Sequence, residues 1–264
     1  MRRARVVLLT AAAAITMSCG APAEPAEQSA TSSTVSTTPV SPTVMANSVS
    51  PDPRVGAIFL DGQSLHTCTG SVLHSVAGDL ILTAAHCMAA GYDTSFVPGF
   101  VESADPQDFW TIDEVYLDPR WVAAQDPLAD FAIARVIGHD RGTVENAVGG
   151  GLALGSGPGV GADVTVTGYA LGVGGGPIGC TARTTARERG FPSLRCPGLV
   201  DGTSGSPWTT GSTVVGVIGG LEGGGCEENV SYTPPFDDSI KQLMARAEAG
   251  GPGDDPPTVF SDDC

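Results

Sequence analysis

Short apolar runs separated by glycine-rich and polar segments dominate the chain from residue 51 onward. Residues 163–169 alternate between polar and apolar positions, which is the period-two pattern of a half-buried strand. Further apolar, β-branched runs that are typical of strands occur at residues 55–60, 80–83, 110–112, 115–117, 131–137 and 214–218. These patterns predict an all-β fold built of short strands.

A single helix is predicted near the end of the chain. Ile240, Leu243 and Met244 recur at helical spacing and share one face. Asp237 or Asp238 can cap the first turn of this helix. We therefore expect strands through most of the chain and one closing helix.

The first 19 residues read as an export signal. Arginines near the start precede an apolar run at residues 6–17, which is too short to span a membrane. Cys19 follows, and its setting resembles a bacterial lipobox, although Thr16 stands where leucine is usual. Lipidation of Cys19 would anchor the protein to a bacterial membrane. The alternative is ordinary cleavage nearby, for example after residues 21–23.

Residues 20–50 are rich in Ser, Thr, Pro and Ala and contain no aromatic residue. Such a segment cannot bury enough apolar surface to fold, so we expect a disordered linker. A tail rich in Gly, Pro and Asp occupies residues 249–264 at the other end. Ordered structure is therefore expected between these two segments.

Charge and cysteine content restrict the partners and the compartment. The net charge of −16 repels phosphate backbones, so nucleic acid is not an expected partner. Such acidity favours solubility in an extracellular medium. Of the seven cysteines, Cys19 stands apart, and the remaining even number suits disulfides in an oxidising compartment.

A histidine follows the apolar run at residues 80–83 within a group of small residues. Residues 82–87 read Leu-Thr-Ala-Ala-His-Cys and closely resemble the histidine motif of the chymotrypsin family of serine peptidases. Small residues there allow a strand to turn sharply into one helical turn. The other histidines are interpreted as surface or core residues rather than catalytic groups: His66, His74 and His139.

Two further motifs follow in the order expected for that family. Asp130 leads into an apolar strand, as in the family's acidic motif, whereas Asp126 precedes a proline and is better interpreted as a turn former. Residues 201–207 read Asp-Gly-Thr-Ser-Gly-Ser-Pro and resemble the nucleophile motif, nearer its glutamyl-endopeptidase branch. The order His, Asp, Ser argues against an α/β-hydrolase, in which serine comes first.

The resemblance implies a chymotrypsin-like fold of two packed six-stranded antiparallel β-barrels with a C-terminal helix. The barrels would span residues 51–140 and 141–248. It also implies a serine endopeptidase that acts on protein or peptide substrates, without a cofactor or metal, and we expect a monomer. The implied site residues are a catalytic triad of His86, Asp130 and Ser204, with the backbone N–H groups of Gly202 and Ser204 as the oxyanion hole.

The specificity region departs from the family pattern. Gly198 stands six residues before the predicted nucleophile, where trypsin-like enzymes carry an aspartate, and Ile218 stands about where glutamyl endopeptidases carry a histidine. The edge strand that binds the substrate backbone lacks its usual serine. The substrate-binding residues implied by this alignment are Gly198, Leu199, Gly219, Gly220 and Leu221. They predict a neutral pocket.

The family motif implies a disulfide between Cys68 and Cys87. A second bridge between Cys180 and Cys196 and a third between Cys226 and Cys264 are expected, with Cys196–Cys226 as the alternative. Two other functional classes stay open beside the peptidase. One is a catalytically silent binding protein with the same fold, and the other is a surface-anchored interaction protein.

Overall fold

The structure is a computed structural model that describes residues 44–138, 142–225 and 229–258. The predicted export signal, with Cys19, lies outside the described residues, as do His139, Cys226 and Cys264. The strands in chain order are β1 Asn47–Ser48, β2 Val55–Leu60, β3 Leu65–Val72, β4 Leu80–Thr83, β5 Thr94–Pro98, β6 Trp110–Leu117, β7 Ala132–Ile137, β8 Ala153–Leu154, β9 Asp163–Gly168, β10 Gly172–Val173, β11 Ile178–Glu188, β12 Phe191–Leu194, β13 Pro207–Thr210, β14 Thr213–Val217 and β15 Ser231–Tyr232.

The described part of the chain also contains three α-helices and four short 3-10 helices, of which α3 follows the last strand. The α-helices are α1 Pro119–Ala124, α2 Val144–Val148 and α3 Asp238–Ala249, and the 3-10 helices are Ala85–Cys87, Pro106–Asp108, Pro127–Ala129 and Leu221–Gly224.

Strands β2 to β7 form a closed antiparallel barrel. They pair in the order β3-β2-β5-β6-β7-β4, and pairing between β3 and β4 closes the ring. The barrel closes around a core of large apolar side chains because its strands direct them inward; Ile58, Phe96 and Trp110 are almost fully buried there. Strand β10 adds to the outside of this ring by pairing with β3.

The remaining strands form a second sheet in the order β15-β12-β11-β9-β13-β14-β8, with β1 paired to β11. Its pairs are antiparallel except for the short parallel pair of β8 and β14. Val166, Leu194 and Trp208 are buried in its own core. The predicted all-β architecture is confirmed as a closed six-stranded barrel and a second sheet with few helices.

Helix α3 has the predicted cap and the predicted buried face. The Asp237 side chain accepts a hydrogen bond from the Ser239 N–H at the start of the helix. Ile240 and Leu243 are buried in a cluster to which both sheets contribute, and Met244 packs against it. The helix therefore closes the fold by covering apolar residues of both halves.

Several sequence predictions are corrected by the structure. The disordered linker was expected to reach residue 50, yet β1 pairs with Ile178 and Gly179 because its extended backbone adds an edge to β11. The segments at 110–112 and 115–117 form one strand, β6, which carries a pairing irregularity between Ile112 and Glu114. Helices α1 and α2 were not predicted, because helices of six and five residues are too short to show a helical period of apolar positions in the sequence.

Candidate active site

His86 lies on the 3-10 helix that directly follows β4. Ala84 and Ala85 are completely buried, so larger side chains could not be accommodated in this sharp turn. Cys87 is bonded to Cys68 on β3, which ties the turn to the neighbouring strand. The backbone that carries the His86 imidazole is thus fixed by the adjacent Cys68–Cys87 disulfide and by the close packing of Ala84 and Ala85.

Asp130 follows the 3-10 helix Pro127–Ala129, whose first turn is capped by the Asp126 side chain. Asp126 is therefore a turn former, and Asp130 is the carboxylate that meets His86. Asp130 is 1% exposed. Its Oδ2 lies 2.8 Å from His86 Nδ1, and its Oδ1 accepts a 3.0 Å hydrogen bond from the His86 backbone N–H. A carboxylate at Nδ1 fixes the proton there and leaves Nε2 as the basic nitrogen.

A backbone group completes the hydrogen bonds of Asp130. The Gly220 N–H donates to Asp130 Oδ2 at 2.7 Å. A Cβ atom at Gly219 would lie 2.9 Å from the same oxygen, so a serine there requires a shift. The edge strand lacks the serine that is usual in the family it resembles, and with it a hydroxyl that could donate to Asp130. The Gly220 N–H supplies a replacement that no side-chain pattern could reveal.

Ser204 lies in a turn held by backbone hydrogen bonds. Its carbonyl accepts from the Thr69 N–H at 2.8 Å, and the Gly205 N–H donates to the Ile218 carbonyl at 2.8 Å. Thr203 is buried and donates its hydroxyl to the Val200 carbonyl at 2.7 Å. The Thr203 side chain therefore stabilises the turn that precedes Ser204.

Gly202 can only be glycine in this conformation. Its φ is +88°, and an added Cβ would lie 2.0 Å from the Leu171 backbone nitrogen. Within residues 44–138, 142–225 and 229–258, neither the Gly202 N–H nor the Ser204 N–H donates to a protein acceptor. Of the two residues, Ser204 lines the cavity described next and Gly202 does not.

His86 and Ser204 line the same cavity, which has a volume of about 460 Å³. Its apolar walls include Leu199 and Ile218, which are 6% and 4% exposed. Two acidic residues that sequence reasoning did not assign also line it, Asp201 and Glu222. The cavity has the mixture of apolar wall and convergent polar groups that is usual for binding sites.

The predicted substrate-binding set is only partly brought together. Leu199 lines the cavity, but in the described part of the chain Gly198, Gly219, Gly220 and Leu221 do not. Gly198 faces the chain before β1, where an added Cβ would lie 3.5 Å from the Ala46 Cβ. Gly219 donates its N–H to the Tyr232 carbonyl and Gly220 donates to Asp130, so these donors are not free to pair with a substrate backbone.

The other described histidines have structural surroundings. His66 is 2% exposed, contacts aromatic rings and has Nε2 at 2.9 Å from the Gly174 carbonyl. His74 lies on the surface, where a hydrogen bond with Glu145, assisted by the charge of that carboxylate, raises its pKa. Neither histidine lines the cavity of Ser204.

Disulfides join Cys68 to Cys87 and Cys180 to Cys196. Because Cys196 is bonded to Cys180, the alternative pairing of Cys196 with Cys226 is wrong. Ligand atoms of His86, Cys68 and Cys87 lie within 4.8 Å of one another. Because bridged sulfurs are not thiolates, this group is not a metal-ligand set.

A family model described as Trypsin matches residues 47–186, just over half of the chain. This range includes His86 and Asp130 and ends before Ser204. No curated protein matches the sequence.

Solved structures match most of the chain at low sequence identity. Protease Anisep from Arthrobacter nicotinovorans is 21% identical, with a TM-score of 0.67 over 78% of this chain and 100% of that one. The serine protease AL20 from an extremophilic microorganism is 20% identical, with a TM-score of 0.65 over 76% and 99%. Human heparin binding protein is 17% identical, with a TM-score of 0.63 over 80% and 99%. These likenesses establish the chymotrypsin-like two-barrel fold.

Proposed function

We propose that this chain, which belongs to the trypsin family, is a secreted serine endopeptidase that cleaves peptide bonds through an acyl-enzyme intermediate. The observation that carries the proposal is the buried Asp130 carboxylate, 2.8 Å from His86 Nδ1, beside the cavity that His86 shares with Ser204. In this proposal Ser204 is the nucleophile, His86 the general base and Asp130 the group that orients the base.

The proposed reaction moves one proton through His86. Ser204 Oγ attacks the substrate carbonyl carbon while Nε2 of His86 accepts the hydroxyl proton. Asp130 remains ionised, keeps Nδ1 protonated and stabilises the imidazolium. His86 then donates that proton to the leaving amine, which leaves an ester on Ser204. A water molecule, deprotonated by His86, hydrolyses the ester and restores the serine.

The developing oxyanion requires donors that need no rearrangement during the reaction. The N–H groups of Gly202 and Ser204 have this part in the proposal, because neither donates to a protein acceptor in the described residues. Donors of this kind contribute about 3–4 kcal/mol each to the stability of the transition state.

A fluorophosphonate probe tests the proposal directly. It should label the folded wild-type protein at Ser204 and should not label Ser204→Ala. Exposed Ser64 provides the control, because Ser64→Ala should be labelled like the wild type. His86→Ala should lower peptide turnover by several orders of magnitude, since the serine loses its base. Folded protein that is neither labelled nor active would refute the proposal.

A catalytically silent binding protein is the second candidate. One observation favours it, namely that the fold is shared with human heparin binding protein, which is named for binding. The net charge of −16 opposes binding of a polyanion to this chain. The same probe separates the candidates, because a silent protein or an anchored interaction protein needs no reactive serine.

The cavity supports a preference for uncharged side chains at the cleaved position. Leu199, Ile218 and Ser231 are buried around it and offer no charge. Of the two acidic residues in the lining, Glu222 is paired with Arg189, and Asp201 lies exposed to solvent, which screens its charge. Cleavage of a mixed peptide library measures this preference. Strong selection for Lys, Arg or Glu at the cleaved bond would contradict it.

The described disulfides fit an extracellular protein. In the described residues no helix has the length and apolar character that crossing a membrane requires. We propose export by the first 19 residues, with lipidation of Cys19 holding the enzyme on a bacterial membrane. Mass spectrometry of the mature N-terminus tests this. An unmodified terminus beyond Cys19 in the medium, with none in the membrane fraction, would exclude the anchor.

A further inference from the structure

A second cavity of about 790 Å³ lies next to the one that holds Ser204. Glu222 and Gly223 line both cavities, so the two adjoin at this segment. Gly220 and Leu221, which were predicted to contact substrate, line only the second cavity. A ligand bound at Ser204 that extends past Glu222 therefore enters this second cavity, which we call the tail groove.

The C-terminal tail forms one side of the tail groove. After α3 the chain runs back along β6, where the Asp254 N–H donates to the Val115 carbonyl and the Leu117 N–H donates to the Asp254 carboxylate, both at 2.7 Å. Arg246 pairs with the same carboxylate. This attachment gives the tail a defined course, which brings Asp255 and Pro257 to the wall of the tail groove.

The tail also sets the charge of the tail groove. Among the residues that the structure describes, the charged ones that line it are Arg189, Glu222 and Asp255. Arg189 Nη2 lies 2.8 Å from Glu222 Oε1, so these two charges compensate each other. The carboxylate of Asp255 gives the groove a net negative charge. The rest of the lining includes apolar side chains, among them Val122 and Pro127.

We infer that the C-terminal tail is a substrate-binding element: residues 254–257 form a wall of the tail groove, which takes residues of a polypeptide substrate beyond the one at Ser204. Asp255 selects a basic side chain among those residues by charge complementarity. Apolar contacts with Val122 and Pro127 suit the stem of a lysine or arginine, whose charged end reaches the carboxylate. This inference rests on the proposed peptidase function.

Substrate pairs of different length test the inference in the full chain. A short peptide is compared with peptides that share its scissile residue and are extended on one side or the other, with Lys, Leu or Glu in the extension. For one direction of extension, Lys should give the lowest KM. Asp255→Asn should raise that KM about two- to fivefold, the range of an exposed charge pair, with kcat and the short substrate unchanged.

Charge reversal and salt provide independent readouts. Asp255→Lys should shift the preference from the Lys to the Glu extension. High salt should remove the difference between Lys and Leu in the wild type, because exposed charges are screened. The control is Asp163→Asn, an exposed carboxylate on β9 that lines neither cavity, which should behave as wild type.

Removal of the tail distinguishes a tail that forms a wall of the groove from a tail that occupies the groove and blocks substrate. Truncation after residue 253 should raise KM for the favoured extended peptide, with Cys264→Ser in the full chain as control for the lost cysteine. A truncated enzyme that cleaves every extended peptide better would show that the tail blocks the groove, and the inference would fail. Unchanged KM values in Asp255→Asn would also overturn it. If no peptide is cleaved, the peptidase proposal fails, and binding of the Lys-extended peptide to wild type and Asp255→Asn still decides the role of the tail.

Discussion

The proposed catalytic groups of the closed barrel and the one that leads into the second sheet are held by different kinds of bond. In the barrel, a side-chain hydrogen bond joins His86 to Asp130, and the bridge at Cys87 fixes the adjoining turn. Ser204, which precedes β13 of the second sheet, is held through backbone bonds: the Gly205 N–H donates to the Ile218 carbonyl, and the Thr69 N–H of barrel strand β3 donates to the Ser204 carbonyl. Glycines with positive φ make that turn feasible. We therefore expect substitutions at the His86–Asp130 pair to weaken the general base, whereas substitutions in the turn around Ser204 should displace the nucleophile.

Replacement of Asp130 by asparagine should have the largest effect. An amide cannot stabilise the imidazolium and favours the wrong tautomer of His86, so kcat should fall by roughly three to four orders of magnitude. Stopped assays of peptide turnover measure the loss, and Asp126→Asn, at the cap of the neighbouring 3-10 helix, is the control. An equal loss of kcat in both variants would mean that these carboxylates act only through the stability of the barrel, and it would contradict the proposed role of Asp130.

Removal of each disulfide sharpens the comparison. The bridges close segments of similar length, with sequence separations of 19 and 16 residues, so each should contribute about 3 kcal/mol to the free energy of unfolding. Denaturant unfolding of Cys→Ala pairs, in the Ser204→Ala background to prevent self-cleavage, measures this. In the active protein, loss of Cys68–Cys87 should reduce turnover more than loss of Cys180–Cys196, because His86 adjoins Cys87. The opposite order would contradict the importance of the bridge for His86.

Peptide mapping without reduction separately tests the predicted Cys226–Cys264 disulfide.

Gly205→Ala tests the geometric side of the comparison. The added Cβ would lie 2.2 Å from the Thr69 carbonyl oxygen, at a φ of +79°. Positive-φ strain and overpacking together should lower the free energy of unfolding by roughly 2–3 kcal/mol. Gly211→Ala is the control, because its φ is +60° and nothing lies within 4 Å of the added atom. It should show only the strain, about 1 kcal/mol. Equal losses in the two variants would mean that the close approach to Thr69 is unimportant.

Fluorophosphonate labelling adds a second readout for these glycines. Gly205→Ala should label slowly even where it remains folded, since the turn that presents Ser204 is displaced. Gly211→Ala should label at the wild-type rate. Slow labelling in both would point to general destabilisation rather than to the turn.

Local patterns predicted the parts of the molecule that are held locally. Strands β2 and β4 have the predicted bounds because continuous apolar runs mark them, and Asp237 caps α3 as its position predicts. The bond from the Gly220 N–H to Asp130 joins residues far apart in sequence, and a backbone donor leaves no trace in residue type. The course of the tail to Pro257 depends on equally distant contacts. Sequence reasoning thus identified candidate side chains, and it missed the Gly220 backbone donor and the tail that lies near them.

The smallest expected effect concerns the charge on Asp118, which caps α1 in the barrel segment that leads to Asp130. Burial raises the pKa of Asp118, but hydrogen bonds and charge from Arg120 prevail and hold it below its usual value of 3.8. The fold therefore favours the ionised form, and this stabilisation is present above that value and is lost as the pH falls through the lower folded pKa.

Asp118→Asn isolates this charge, because asparagine caps helices about as well as aspartate. At pH 7 the variant should lose about 1 kcal/mol of unfolding free energy, and the difference from wild type should vanish in strong acid. Denaturant unfolding across pH in the Ser204→Ala background measures the difference, with the exposed Asp238→Asn as control. Labelling of Ser204 in the active protein should be unchanged, because the backbone bonds that hold the serine do not involve Asp118. A slower label would show that the two regions are coupled through α1, which contacts Ser239 of α3 through Arg120.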